Sequence, residues 1–311
     1  MPDLTVFGGC LRSELPFPEL RAATDPPDWT LSVSHHKPSL DGAAPIGEDI
    51  VDAAIRVRAY RAGDDFVLEY DDTGTFVVST CGREIAWHPG ASASTASARL
   101  DVLGRVLPMA LHASGVPTLH GSAVAIGGRV IAFLAPKYHG KSTLAYALVS
   151  AGARIVTDDA LAIDPGPPAM ARPGVHIVRL FSDAASRLGV SRGDRSAGGG
   201  KVSLDALPDE QRMREPAPLD ALYLLAPVEA AAGASAARRV AVDSITAALS
   251  LVRHAKLGPL LGRGEAPVLF EQAVSLARVV PVYALHVARD LARLDEAVTE
   301  ILAWHGAGAP T

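Results

Sequence analysis

Two patterns of apolar positions in the first third of the chain predict a strand-rich region followed by a helix. Residues 65–70 and 74–79 alternate or run apolar, and polar turn residues separate them, which is typical of a β-hairpin. From about Ala98 to Ser114, apolar side chains recur at intervals of three and four residues and predict a helix with one buried face. The residues on that face are Leu100, Leu103, Val106, Leu107 and Leu111.

A second hairpin is predicted at residues 119–134. Two apolar runs are separated by the pair Gly127-Gly128, and a two-glycine loop favours a tight turn between antiparallel strands. Counting back from this turn pairs His120 with Ala135, the residue after the second strand. His120 is therefore a candidate site residue by register.

The rest of the chain alternates predicted helices and strands. The predicted elements are a helix at 141–151, a strand at 154–157 that ends at Asp158-Asp159, a strand at 221–225, helices at 244–252 and 267–279, a strand at 282–287 and a terminal helix at 291–303. Two segments rich in small or polar residues, 184–200 and 229–236, are predicted to be mobile loops.

Composition narrows the class of protein and of partner. Of 311 residues, about half are apolar and a fifth are charged, which suits one large or two modest globular domains. The net charge of −5 arises from 34 acidic and 29 basic residues without long blocks of one sign. We therefore expect a small-molecule, peptide or protein partner rather than nucleic acid or a membrane surface.

The cysteine count and the terminal sequence favour a cytoplasmic protein. Two cysteines, Cys10 and Cys81, supply neither a disulfide framework nor a four-ligand zinc site. The N-terminal residues carry acids and prolines where a signal peptide needs a basic start and an apolar core. No apolar run approaches the roughly 20 residues that cross a bilayer.

Residues 135–143 form a candidate phosphate-binding loop. The segment follows an apolar run and ends in Gly140, Lys141 and Ser142, which resembles the loop that cradles nucleotide phosphates, although Ala135 stands where that motif begins with glycine. Between a buried strand and a helix, such a loop points backbone N–H groups at one anion. The alternative is an ordinary strand, turn and helix in which Gly-Lys-Ser occurs by chance. The full candidate loop is Ala135, Pro136, Lys137, Tyr138, His139, Gly140, Lys141, Ser142 and Thr143.

Asp158 and Asp159 favour the nucleotide interpretation. They follow the next apolar segment, one predicted helix after Lys141. Phosphoryl transfer needs a carboxylate near the metal ion on the terminal phosphates and one to accept the proton of the hydroxyl. The alternative for two adjacent aspartates is an exposed turn at a strand end.

Three further residues are candidates with plausible structural alternatives. His120 could contact a phosphate, orient Asp158 or fill a strand end. Arg179 and Lys201 are the cations after the aspartates that could neutralise charge on the transferring group, or they are ordinary surface charges.

Together these segments resemble the catalytic core of the HPr serine kinase/phosphorylase family. The resemblance rests on Leu119-His120-Gly121, the Gly-Gly hairpin, the Gly-Lys-Ser loop and the stretch from Gly152 to Asp159, and it is firm over residues 117–164. It is looser up to about residue 303, where 251–254 and 280–285 are similar to stand-alone relatives, including kinases of lasso-peptide gene clusters.

The resemblance implies an α/β fold related to phosphoenolpyruvate carboxykinase, with a small β-rich domain at residues 1–98 and a P-loop catalytic domain at residues 99–311. It implies ATP and Mg²⁺ as cofactors. Lys141 and Ser142 would bind phosphate and the metal, Asp158 would activate the acceptor hydroxyl, Asp159 would support the metal, and His120 would lie beside them. Either aspartate could take either task.

The sequence departs from the family at several positions. The family loop has glycine where this chain has Ala135 and Tyr138, and Pro136 and His139 replace small residues. The segments of the family that belong to phosphorylation of HPr and to the reverse reaction are missing, so neither activity is expected.

The preferred hypothesis is a Mg²⁺- and ATP-dependent kinase acting on a hydroxyl of a peptide, a protein or a small pathway metabolite. The alternatives are a nucleotide-binding accessory protein that has lost transfer activity, and a kinase that uses another donor such as GTP or pyrophosphate. Residues 1–98 would recognise the acceptor or another subunit, which leaves homo-oligomerisation open.

Overall fold

A computed structural model describes residues 1–36, 38–52, 55–190, 196–197, 201–204, 207–229 and 233–306. These residues form a mixed α/β structure with two large sheets. Its strands are β1 (Asp3–Val6), β2 (Gly9–Ser13), β3 (Arg21–Ala22), β4 (Trp29–Val33), β5 (Ala44–Asp52), β6 (Ile55–Ala62), β7 (Asp65–Tyr70), β8 (Gly74–Val78), β9 (Glu84–Pro89), β10 (Thr118–Ile126), β11 (Arg129–Leu134), β12 (Arg154–Asp164), β13 (Met170–Ala171), β14 (Val178–Phe181), β15 (Ser196–Ala197), β16 (Lys201–Leu204), β17 (Ala217–Val228), β18 (Ala237–Ala241) and β19 (Val282–Ala288).

The α-helices are α1 (Thr95–Asp101), α2 (Leu107–Ala113), α3 (Lys141–Ser150), α4 (Ser182–Arg187), α5 (Ser244–Arg253), α6 (Gly258–Leu261), α7 (Ala266–Val279) and α8 (Leu294–Trp304). None of the helices within the described ranges has the length and apolar content needed to span a lipid bilayer.

The chain divides into two compact units. One comprises residues 1–118 and 255–272, and the other comprises residues 119–254 and 273–311. The division therefore falls after the helical segment at 95–113, whereas the sequence-based boundary lies at residue 98. The physical reason is that this segment is bonded to the hairpin of the N-terminal sheet: Thr73, in the turn between β7 and β8, donates a hydrogen bond of 2.6 Å to Asp101. The assignment of acceptor recognition to residues 1–98 stays a prediction.

The first unit is built on a nine-stranded sheet with the order β3-β1-β2-β4-β9-β8-β7-β6-β5. The predicted hairpin at 65–79 is confirmed, because β7 and β8 pair antiparallel with Tyr70 opposite Gly74. The predicted helix at 98–114 is confirmed in outline, since α1 and α2 are joined through a π-helical turn at Val102–Val106. The prediction for Leu100 is wrong: it is 53% exposed, because the wider π turn shifts the buried face between α1 and α2.

The second unit contains a seven-stranded sheet with the order β11-β10-β12-β13-β17-β19-β18, and β11 also pairs with β17. β11 is apolar from Val130 to Leu134 because both of its faces are covered there. Ile131 and Phe133 pack in the cluster that contains α3 and α8, whereas Val130 and Ala132 pack in the cluster that contains α5 and the end of α7. This rigid strand leads directly into the candidate phosphate loop.

The register predicted for the second hairpin is confirmed. Ile126 lies opposite Arg129, and Gly121 lies opposite Leu134. The glycine pair in the turn has φ angles of 57° and 81°, which glycine adopts at little cost.

The strand predicted to end at Asp158-Asp159 is longer than expected. β12 continues through both aspartates to Asp164, because Ala160 and the three residues after it are buried and continue the sheet. The aspartates therefore lie within a strand. The strand is irregular at Asp159, which has a positive φ of 136°.

Other predicted elements need smaller corrections. The predicted loop at 184–200 begins inside α4, where Ala184 and Ala185 are buried. The terminal helix begins at Leu294, after a 3₁₀ turn over Leu291–Arg293. Residues 191–195, 198–200 and 230–232 of the two predicted loops lie outside the described residues. The remaining predicted elements agree with α3, α5, α7, β17 and β19.

Candidate active site

The candidate phosphate loop joins β11 to α3 within the second unit. Gly140 precedes the helix with a φ of 87°, and no side chain caps the helix start. The first turn of a helix leaves backbone N–H groups without partners inside the helix, and these groups and the helix dipole attract an anion. The structure therefore places the predicted loop at an uncapped helix start that is suited to phosphate.

Lys141 is the first residue of α3, and its side chain folds back on the loop. Its ammonium group donates to the carbonyl oxygens of Ala135 at 2.7 Å and Pro136 at 3.1 Å. The residue is buried, with 8% exposure. An ammonium group at this position can form a charge-assisted hydrogen bond with a phosphate oxygen.

The two positions where the loop lacks an expected glycine differ in structure. Ala135 is buried and does not have a positive φ, so alanine fits there without backbone strain. Tyr138 has a φ of 71°, in the left-handed region that side chains with a Cβ disfavour. The residue is 76% exposed, and its ring stacks on Phe181 with a centroid distance of 5.4 Å.

The other loop residues surround the helix start. Pro136, Lys137 and Gly140 are exposed, and His139, Ser142 and Thr143 are partly exposed. The ring of His139 lies 3.0 Å from the carbonyl oxygen of Lys137, a contact within the loop.

Asp158 lies at the centre of the site and receives three hydrogen bonds. Its Oδ1 accepts from the hydroxyl of Ser142 at 2.8 Å and from the hydroxyl of Ser122. Its Oδ2 accepts from the backbone N–H of Arg179 at 3.2 Å. Burial raises the pKa of Asp158, and the nearby charge of Asp159 acts in the same direction, whereas the three hydrogen bonds oppose the rise.

Asp159 pairs with His120. Nδ1 of His120 lies 3.1 Å from the backbone oxygen of Asp159 and 3.1 Å from its Oδ1. Because both partner atoms are acceptors, Nδ1 carries the hydrogen. The φ of 136° at Asp159 is unusual for a residue with a side chain and is typical of functional positions. The geometry therefore brings the histidine to the second aspartate rather than the first.

Two glycines allow the close approaches that build this site. A Cβ on Gly121 would lie 2.6 Å from Leu134 and 2.8 Å from the carbonyl oxygen of Phe133, so the residue after His120 must be small. A Cβ on Gly174 would lie 2.5 Å from Oγ1 of Thr157, the residue before Asp158.

Two residues at the site were not assigned a role from the sequence. Ser122 is fully buried and lies two residues after His120, so the period of two in a strand could have indicated it. The carbonyl oxygen of His254 accepts from the backbone N–H of His120 at 2.7 Å. Burial lowers the pKa of His254 to about 4, and the charges of Lys141, His120 and Arg253 contribute. His254 is therefore neutral at pH 7, and the sequence indicated it only as the last residue of the segment 251–254 that is similar to stand-alone relatives.

The two predicted charge-stabilising residues lie on neighbouring strands. In the small sheet β14-β16-β15, Arg179 of β14 is opposite Ser203, and Phe181 is opposite Lys201. The side chain of Arg179 is exposed, and the backbone N–H of Arg179 contacts Asp158. The side chain of Lys201 lies outside the described part of the chain.

The predicted metal ligands Ser142 and Asp159 belong to this site, with Ser142 bonded to Asp158 and Asp159 beside His120. Within the described ranges, no group of three or more His, Cys, Asp or Glu side chains is arranged to hold a metal ion. Mg²⁺ in nucleotide sites binds one or two carboxylates together with phosphate oxygens and water, and the donors here fit that pattern.

Comparisons with known proteins add little at this point. No protein-family model matches the chain, and no curated protein matches it in sequence. Among solved structures, the chain is similar to the HPr(Ser) kinase/phosphatase from Coxiella burnetii, with 14% identity and a TM-score of 0.31 over 61% of this chain and 99% of that chain. A similarity of this size carries no argument about function.

Proposed function

We propose that the chain is a Mg²⁺- and ATP-dependent kinase that transfers the γ-phosphoryl group to a hydroxyl. The observation that supports this most directly is the hydrogen bond between Ser142, in the first turn of α3, and Asp158 of β12. It joins a phosphate-type loop to a carboxylate, with Lys141 beside the loop, Asp159 on the same strand as Asp158, and His120 on the neighbouring strand β10. Phosphoryl transfer depends mainly on positioning and charge, which this set of groups supplies.

In the proposed reaction, the acceptor oxygen forms a bond to the γ-phosphorus while the bond to the bridging oxygen of ADP breaks. Asp158 takes the proton of the acceptor hydroxyl. Its carboxylate already accepts three hydrogen bonds, and about four lone-pair sites are available on two oxygens, so one remains for this proton. The raised pKa of Asp158 suits a general base, because basicity increases with pKa.

The proposed roles of the other site residues follow from where their side chains lie. Lys141 would exchange its contacts with the loop carbonyls for the terminal phosphates, and the N–H groups at the start of α3 would bind phosphate oxygens. Ser142 and Asp159 would hold Mg²⁺, which neutralises phosphate charge when bound. His120 would fix the orientation of Asp159 through Nδ1.

A serine or threonine of a peptide or protein, or a hydroxyl of a small metabolite, is the proposed acceptor class. A second candidate function is a nucleotide-binding accessory protein without transfer activity. The strained Tyr138 in the loop favours this alternative, because a bulky side chain replaces the glycine of the related loops.

The experiment that separates these functions combines calorimetry with turnover. Mg-ATP binding and ADP release are measured for the wild type, for Lys141→Ala and for Lys137→Ala. Lys137 is an exposed lysine of the same loop, so its variant loses the same charge. We expect Lys141→Ala to lower turnover by at least about 100-fold and Lys137→Ala to lower it only slightly.

Each other outcome has a distinct meaning. Tight ATP binding without phosphate transfer to serine, threonine or metabolite hydroxyls supports the accessory protein. Equal turnover by the wild type and Lys141→Ala contradicts the kinase. Faster turnover of GTP or pyrophosphate than of ATP would mean that the protein is a kinase that uses another phosphate donor.

A further inference from the structure

The loop contains an exposed aromatic ring in an unfavourable backbone conformation. Tyr138 has a φ of 71°, and the residue is 76% exposed. Both features oppose stability, since glycine is favoured at such a φ and large apolar side chains are normally buried. A residue with both features is a candidate for a binding role.

The ring of Tyr138 is held in place by Phe181. The two rings stack with a centroid distance of 5.4 Å and an interplanar angle of 29°. Stacking fixes one face of the tyrosine and leaves an ordered aromatic surface at the rim of the loop. We call Tyr138 and Phe181 the aromatic pair.

The aromatic pair is connected to the proposed base through β14. The backbone N–H of Arg179 contacts Asp158, and Phe181 lies two residues further along the same strand. Residues two apart in a strand share a face and lie about 7 Å apart. The exposed face of β14 therefore presents a cation beside the base and an aromatic ring one repeat away.

Side chains two residues apart in an extended peptide have the same spacing as those two apart in β14. If the hydroxyl of an acceptor serine or threonine lies at Asp158, beside Arg179, the peptide side chain two residues away lies about 7 Å further along the strand direction. Phe181 is separated from Arg179 by the same two-residue step of β14. A small metabolite would not need a second contact surface at this distance.

We infer that the aromatic pair of Tyr138 and Phe181 selects the acceptor, by binding an aromatic or aliphatic side chain two residues from the phosphorylated serine or threonine of an extended peptide. This inference rests on the proposed kinase function and specifies its acceptor class.

The test uses the full chain, Mg-ATP and synthetic seven-residue peptides with one central serine. The peptides carry phenylalanine, leucine, asparagine or glycine two residues before or after the serine, and glycine or alanine elsewhere. For the wild type we expect a preference of about 10-fold in kcat/KM for phenylalanine or leucine over asparagine on one side, as estimated from aromatic contacts.

Variants of Tyr138 and Phe181 test whether the aromatic pair causes the preference for phenylalanine or leucine in the peptide. Tyr138→Leu and Phe181→Ala should reduce the preference to about 2-fold or less through a higher KM for the phenylalanine peptide, whereas Tyr138→Phe should retain it. Phe181→Leu serves as the variant that keeps an apolar side chain against the loop if Phe181→Ala does not fold.

Three results would overturn the inference. One is a wild type that turns over ATP but phosphorylates none of the peptides, which leaves a metabolite kinase. Another is an unchanged preference in Tyr138→Leu and Phe181→Ala. The third is that Tyr138→Leu weakens binding of ATP but not of inorganic tripolyphosphate, which would mean that the ring stacks on the nucleobase. A wild type with no more ATP turnover than Lys141→Ala would instead contradict the proposed function itself.

Discussion

The hydroxyl of Ser142 lies 2.8 Å from Oδ1 of Asp158. This hydrogen bond connects the first turn of α3 to the middle of β12, and the two elements also pack together in the hydrophobic cluster that contains Leu144, Leu148 and Ile155. Ser122 donates to the same oxygen from β10. The carboxylate of Asp158 therefore links α3, β10 and its own strand β12. Its pKa is the property that a change in any of these contacts should alter most directly.

Replacement of Ser122 should change the pH dependence of the reaction. A hydrogen bond to a carboxylate stabilises the charged form, so Ser122→Ala should raise the pKa of Asp158 further. Because the base must be deprotonated, the acidic limb of the kcat/KM profile should lie above the ordinary aspartate range in the wild type and at still higher pH in the variant. Rates measured from pH 4.5 to 9 check this. Ser150→Ala, at the exposed end of α3, is the control and should leave the profile in place.

The roles of Asp158 and Asp159 should be distinguishable when each residue is replaced by asparagine. Asp158→Asn should lower kcat by about 100-fold to 10,000-fold, since the general base is lost, while calorimetry still detects Mg-ATP. Asp159→Asn should instead increase the Mg²⁺ concentration needed for half-maximal rate. Turnover measured against Mg²⁺ concentration checks both variants, and the reverse pattern would show that the two roles are exchanged.

Gly174→Ala should disturb the site without touching any proposed ligand. The new Cβ would lie 2.5 Å from Oγ1 of Thr157, and Thr157 immediately precedes Asp158. We expect a loss of about 1–3 kcal/mol in the free energy of unfolding from overpacking, together with lower kcat. Denaturant unfolding and turnover are the measurements. Gly166→Ala is the matched control, because its Cβ would meet its nearest neighbour at an ordinary 3.6 Å.

Stability of the first unit should depend on the protonation of Asp101. Burial raises the pKa of Asp101 to about 7, although Thr73 donates to its carboxyl at 2.6 Å. The folded state therefore binds this proton more tightly than the unfolded state, whose aspartates titrate near 3.9. The contribution to stability is present below about pH 4 and is lost as the pH rises to about 7, by up to about 4 kcal/mol.

Asp101→Asn should remove this dependence, because asparagine keeps an oxygen that accepts from Thr73 and carries no charge. We expect the variant to have a higher Tm than the wild type at pH 8 and little advantage at pH 4. Thermal unfolding across this range checks the prediction. Asp41→Asn, in an exposed turn, is the control, and an equal Tm of Asp101→Asn and the wild type at pH 8 would contradict a buried charge at Asp101.

Some parts of the fold were predictable because their causes are local. The Gly127-Gly128 turn fixes the register of β10 and β11, since a two-residue turn leaves one pairing for the strands that it joins. The apolar period of α5 and α7 likewise predicted their positions. Leu100 was predicted wrongly because a π-helical turn has no reliable sequence pattern.

The amino-acid sequence alone indicates the residues that are proposed to carry the chemistry: the loop before Lys141, the aspartates at 158 and 159, and His120 near the loop by register. These depend on short motifs and on strand pairing next to a turn. Only the tertiary structure decided that His120 contacts Asp159, that Ser122 and Ser142 share Asp158, and that Tyr138 stacks on Phe181. Such partners come from strands and helices far apart in sequence, and packing between elements, rather than local propensity, brings them within hydrogen-bond distance.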